Sequence, residues 1–268
     1  MTGDPLPGYE LRDLVHEGRS FEVYEAWSAE RECPVVVKRS RAGASQEARD
    51  RLLHEGTVLT SLTHPHLVRA YEVHADPPVS VVLETLPGET LGHLFDEHAP
   101  LQARDVAEMG RQLASVVGYL HHHGLVHGDI KPANAVRTGG VVRLIDLSLA
   151  GPQRIWDSSS GTPGYLSPEQ AAHGLVTSAT DVWGLGLLLL EALSGRDPYP
   201  VDDPRYREGY GPVRPPRPLR RSRRVPAELA ALIGRMTALD PAERPDLRSV
   251  RAVLDRHALR PDGVRHDS

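Results

Sequence analysis

The hydrophobic period of this chain changes once, and the change falls at Pro87-Gly88. Ahead of that break the pattern is mainly of period two. Glu22-Val23-Tyr24-Glu25-Ala26-Trp27 alternates, Pro34-Val35-Val36-Val37-Lys38 reads as a buried strand ending on its lysine, and 68–73 and 79–83 read as two more strands. One helix interrupts them over 45–62, with Ser45 as N-cap and Leu52, Leu59 and Leu62 at helical spacing. Behind the break the pattern is helical. Residues 101–124 carry a long amphipathic period, 181–193 are apolar nearly all round, as in a helix buried at a domain centre, and 226–237 and 247–257 read as closing helices. The expected fold is therefore α+β and bilobal. Its small β-rich lobe (9–86) carries one main helix, and a larger, mainly helical lobe spans 87–260. Residues 1–8 form a Pro/Gly-rich flexible leader and 261–268 a frayed tail. A crevice between two such lobes is the expected ligand site.

Composition excludes several classes. Among 268 residues, 36 acidic against 31 basic side chains give a formal charge of −5, so bulk attraction to a polyanion is not expected, nor is nucleic acid as the partner. A lone Cys33 rules out an internal disulfide framework and a Cys-rich zinc site. The longest apolar stretch, 185–190, is interrupted by Gly186 and stopped by Glu191, far short of the ~18 residues of a membrane span. The first residues carry no basic and apolar secretory signature, and a cytoplasmic location is expected.

One scarcity points to chemistry. Of the 31 basic residues, 29 are Arg; the only lysines are Lys38 and Lys131, and the only asparagine is Asn134. Arginine would serve wherever positive charge alone is needed. Lysine supplies a compact, mobile ammonium for phosphate or carboxylate, and asparagine a neutral carbonyl oxygen for a metal.

Two of the three stand in His127-Gly128-Asp129-Ile130-Lys131-Pro132-Ala133-Asn134, and Val142-Arg143-Leu144-Ile145-Asp146-Leu147-Ser148 follows shortly. With Gly161-Thr162-Pro163-Gly164-Tyr165-Leu166-Ser167-Pro168-Glu169, the start Asp181-Val182-Trp183-Gly184 and Asp240-Pro241-Ala242-Glu243-Arg244-Pro245, these motifs make residues 9–257 resemble the protein kinase family, specifically bacterial serine/threonine kinases. The resemblance implies transfer of the γ-phosphoryl group of ATP, with Mg²⁺, to Ser or Thr hydroxyls of a protein substrate. By the same resemblance, Lys38 grips the α- and β-phosphates and Glu55 holds that lysine. Asp129 is the catalytic carboxylate and Lys131 steadies the transferring group. Asn134 and Asp146 are the metal ligands. Gly18, Val23 and Val36 belong to the nucleotide pocket, Leu83 is its gatekeeper, and Glu84 and Leu86 offer backbone bonds to adenine. Glu169 is expected to pair with Arg244, and Asp181 to anchor the catalytic loop.

Four positions depart from the family pattern. His16-Glu17-Gly18-Arg19-Ser20-Phe21 keeps one glycine of the three in G-x-G-x-x-G, Val36 replaces the small residue of V-A-I-K, Gly128 replaces the arginine of H-R-D, and Leu147-Ser148 replace Phe-Gly of D-F-G. None removes an acid, base or ligand. The missing arginine predicts activity independent of phosphorylation at Ser158, Ser159 or Ser160. Two alternatives stand beside the active kinase: a catalytically silent nucleotide-binding pseudokinase, and a small-molecule phosphotransferase of the same fold, against which the 161–169 loop argues. Eight arginines over 205–224 read as a solvated loop or, more sharply, as a dock for an acidic partner or nucleic acid. His121-His122-His123 resembles a metal tract, but consecutive helical residues face different ways, and a structural role is expected.

Overall fold

A computed structural model describes residues 6–98, 100–156, 161–200, 203–207, 211–219 and 225–258. It divides into two compact units, Met1–Pro87 with Ile145–Leu149, and Gly88–Leu144 with Ala150–Ser268. In the first unit, strands β1 (Tyr9–Glu17), β2 (Phe21–Ser28) and β3 (Cys33–Ser40) precede helix α1 (Gln46–Ser61), followed by β4 (Ala70–His74) and β5 (Ser80–Glu84). They form one antiparallel sheet in the order β1-β2-β3-β5-β4. Helix α1 begins where the sequence places its cap: Ser45 Oγ accepts from the Ala48 N–H at 3.2 Å.

Residues opposite one another in antiparallel strands share a face, and faces alternate along each strand. Ala26, Val35, Val37 and Val82 therefore make one apolar face, packed by Leu6, Tyr9, Leu11, Cys33 and Tyr71. The register Val23↔Lys38↔Val81 and Val36↔Leu83 puts Val23, Val36, Lys38, Val81 and Leu83 on the other. Helix α1 lies on that second face at Gly56, where an added Cβ would stand 2.7 Å from both Val73 Cγ2 and Val81 Cγ2. Only glycine admits the helix so close.

The second unit opens with β6 (Glu89–Thr90) and α2 (Leu91–His98), a short helix the sequence pattern did not reveal, and continues with α3 (Ala103–His122). A 3-10 turn at Pro132–Asn134 leads into β7 (Ala135–Thr138) and β8 (Val141–Leu144), which pair with β6 in a three-stranded sheet. Then come β9 (Arg154–Ile155), α4 (Pro168–Ala171), β10 (Leu175–Val176), α5 (Ser178–Ser194), β11 (Tyr206–Arg207), β12 (Gly211–Pro212), α6 (Ala227–Met236) and α7 (Leu247–Ala258). The central helix α5 starts three residues before the apolar pattern does. Thr177 and Thr180 form a reciprocal cap there, and Gly195 closes the other end at φ 62°. All of 180–190 on α5 is buried, and Trp183, Leu187 and Tyr199 form a core with Tyr165, Tyr206 and Leu239 against it. Among the described residues, no helix is long and apolar enough to cross a membrane.

Candidate active site

In the first unit, Lys38 meets two carboxylates. Its Nζ donates to Glu55 Oε2 at 2.7 Å and Oε1 at 3.0 Å, and to Asp146 Oδ2 at 3.4 Å. The β3 pleat aims Lys38 at the face on which α1 lies, and the close approach at Gly56 brings the adjacent Glu55 within reach. Glu55 is 1% exposed and also accepts from the Leu147 N–H. Burial drives the Lys38 ammonium toward neutrality, but Glu55 and Asp146 outweigh it and hold its pKa above the ordinary value. Burial likewise raises the Glu55 carboxyl, against the pull of Lys38. Asp146 Oδ1 accepts from the Ser148 N–H at 2.8 Å, and Leu147 is fully buried, filling with aliphatic bulk the position where the family pattern has Phe.

In the second unit, Asp129 gathers three donors. Lys131 Nζ reaches its Oδ2 at 2.7 Å, Asn134 Nδ2 the same oxygen at 3.0 Å, and Thr162 Oγ1 its Oδ1 at 3.1 Å. Lys131 also donates to Thr162 Oγ1, closing a ring of three side chains. Asn134 Nδ2 further ties down the Asp129 carbonyl at 2.9 Å. Its own Oδ1 has no hydrogen-bond partner among the described residues. The loop beneath is held from α5, where the fully buried Asp181 accepts from the His127 N–H at 2.9 Å and the Gly128 N–H at 2.8 Å. Gly128 sits at φ 80°, where a side chain is strained, and Gln170 Nε2 donates to its carbonyl at 2.7 Å. Position 128 thus carries a backbone constraint that is invisible in the sequence. Glu169 and Arg244 form the expected pair, with both guanidinium nitrogens on the carboxylate at 2.7 and 2.8 Å. Burial raises the Glu169 carboxyl, but Arg244 prevails and holds it below its ordinary value.

The remaining sequence candidates fall in the first unit. Val23 and Val36 are half-buried and Leu83 buried on the Lys38 face. The Glu84 N–H donates to Arg69 O at 2.9 Å, whereas the Leu86 N–H has no partner among the described residues. The Gly18 N–H is taken by Phe21 O at 2.8 Å. Lys38 Nζ also lies 5.4 Å from the Phe21 ring centroid, a cation–π contact. Of the three histidines, for which a structural role is expected, His121 has its Nε2 2.7 Å from Asp181 Oδ2, while His122 is exposed and His123 Nδ1 meets Tyr119 O. The three histidines do face different ways. Only the place of His121 at the end of α3 hinted at a role. Residues 158–160 and 220–224 lie outside the described residues.

The chain is similar to known proteins over most of its length. The protein kinase domain family model matches residues 9–254. Serine/threonine-protein kinase PksC of Streptomyces coelicolor is 31% identical over 266 residues, covering 91% of this chain and 48% of that protein. PknB of Mycobacterium leprae is 30% identical over 254 residues, 88% of this chain and 40% of its own. PrkC of Bacillus subtilis is 29% identical over 209 residues, 74% and 32% respectively. The chain belongs to the protein kinase domain family. It spans less than half the length of each of these relatives.

Proposed function

We propose that this chain is an active serine/threonine protein kinase domain, transferring the γ-phosphoryl group of ATP to Ser or Thr hydroxyls of a protein substrate. The observation that carries this reading is the Asp129 carboxylate with Lys131, Asn134 and Thr162 around it. Asp129 takes the proton of the acceptor hydroxyl and orients its attack. Lys131, on a flexible stem, offers its ammonium to the oxygens that gain charge, and Thr162 keeps it registered against Asp129. Lys38, fixed by Glu55, serves the α- and β-phosphates. Gly18, Val23, Val36 and Leu83 enclose the nucleotide, and Glu84 and Leu86 offer backbone groups to adenine.

Asn134 and Asp146 would hold Mg²⁺, and both present hard oxygen; the unpartnered Oδ1 of Asn134 fits that role. The ion, when bound, neutralises phosphate charge.

Every acid, base and ligand of the family's set is present, which supports an enzyme over a silent binder. Two assays on one sample decide: Mg²⁺-dependent thermal shift with ATP, and transfer from labelled ATP to a protein acceptor. We expect both for the wild type, and Asp129→Asn to abolish transfer by ~10³-fold or more while keeping the shift. A shift without transfer in the wild type means a pseudokinase; transfer to aminoglycoside-type small molecules alone means the other phosphotransferase.

The lobes are assigned as 9–86 and 87–260, with Leu6 of the leader packed on the first of them, and the domain works in the cytoplasm, where ATP is. An acidic partner docks on the 205–224 segment through Arg214 and Arg217, both exposed. Arg205 is not available to it, because its guanidinium is engaged by the Asp203 carboxylate. Arg214→Ser with Arg217→Ser should weaken capture of a polyglutamate peptide about tenfold at low salt; unchanged capture removes the dock.

A further inference from the structure

The hairpin that joins β1 to β2 carries Gly18, which helps enclose the nucleotide in the reading above, and it retains one glycine of the three in the family's phosphate-covering loop. Glycines make such a loop mobile and let its backbone approach an anion. Here the loop is a tight turn. The Gly18 N–H bonds to Phe21 O at 2.8 Å, so it is closed on itself, and the Arg19 and Ser20 N–H groups at the tip have no partner among the described residues. A residue from outside the hairpin fastens it. Arg41, one residue past β3, donates from Nη1 to the Gly18 carbonyl at 3.1 Å, and its backbone N–H donates to Ser20 O at 3.0 Å. Its guanidinium meets Glu17 at 2.8 Å and Glu22 at 3.6 Å, the cross-strand pair at the base of the turn.

Glu17 and Glu22 put two negative charges where a triphosphate is to be covered. Unopposed, they repel it; one guanidinium shared between them cancels much of that field, because the three groups lie within a few ångströms of one another. The same side chain locks the turn with the tip N–H groups free. We infer that Arg41 is a positioning residue for the nucleotide's phosphates, a clasp that stands in for the two missing glycines. The inference rests on the kinase reading for the identity of the ligand, but not on phosphoryl transfer.

Binding and kinetics of the whole chain separate the two. Dissociation constants for Mg²⁺–ATP and for adenosine, with KM and kcat, are measured for wild type, Arg41→Ala, Arg41→Lys and Arg41→Ala with Glu17→Gln and Glu22→Gln. Arg41→Ala should raise the ATP dissociation constant and KM about tenfold, with kcat and adenosine affinity within twofold. The triple variant should recover most of the ATP affinity, because the charges that needed cancelling are gone, and Arg41→Lys should recover part. Equal loss of ATP and adenosine affinity would make Arg41 a fold residue only, and unchanged ATP affinity in Arg41→Ala would remove the clasp. A wild type that binds ATP without transferring phosphate overturns the enzyme reading and leaves this test intact. A wild type that binds neither overturns both.

Discussion

Gly128 illustrates how one residue answers two questions at once. By its resemblance to the family pattern, it stands where an arginine is expected as the basic partner of a phosphorylated loop. In the fold it is a backbone at φ 80° whose N–H and C=O are both taken, by Asp181 and Gln170. A side chain there is strained by about 1–2 kcal/mol, so arginine is not restored without cost. Alanine at Ser158, Ser159 and Ser160 together should therefore leave turnover nearly unchanged; a drop of tenfold or more would mean that another cation receives a loop phosphate. Lys38, Lys131 and Asn134 were legible as candidates for chemistry from scarcity alone. Phe21 and Arg41 were not. One reads as a wrong residue in a glycine position, and the other is a single arginine among 29.

At the scale of the element, α1 decides where Glu55 stands. Its cap, length and apolar spacing are local, and the sequence shows them. Its distance from the sheet is set by Gly56, with no room for a methyl group between helix and strands β4 and β5. Gly56→Ala should push α1 outward, loosen the Lys38–Glu55 pair and cut kcat/KM at least tenfold, at a stability cost of about 1–3 kcal/mol from overpacking. Val81→Ala removes one of the methyl groups it would strike, so the double variant should regain activity. Failure of that rescue, measured as a double-mutant cycle, would detach Gly56 from Glu55. The missed helix α2 is the converse case. It is eight residues long, and at that length periodicity carries little information.

For the molecule as a whole, stability varies with pH through buried ionisable groups, Glu191 of the second unit among them. Burial raises the Glu191 carboxyl on α5, the Tyr165 hydroxyl that donates to it pulls it back, and Asp197 and Asp96 push it up again, to about 7 from an ordinary 4.5. Folded Glu191 thus keeps its proton where the unfolded chain has lost it, so its contribution to stability falls as pH rises from 4.5 to about 7. Glu191→Gln keeps an acceptor for Tyr165 and removes the titration. The variant's melting temperature should pull ahead of the wild type across that interval and hold a constant lead above it. Parallel melting curves from pH 4 to 8 would refute this. Glu169 behaves with the opposite sign: held low by Arg244, it supports the fold at neutral pH and loses that support in acid.

The amino-acid order by itself determined the long elements, the family and the candidate residues for chemistry, because periodicity, caps and rare side chains are local properties that survive without a fold. Tertiary structure alone decided which of those residues meet: the β3 pleat and a missing Cβ bring Lys38 to Glu55, Asp181 holds the Asp129 loop from fifty residues away, and Arg41 closes a turn that should have needed glycine. Such contacts join parts of the chain whose separation in sequence says nothing of their distance, and only packing fixes it.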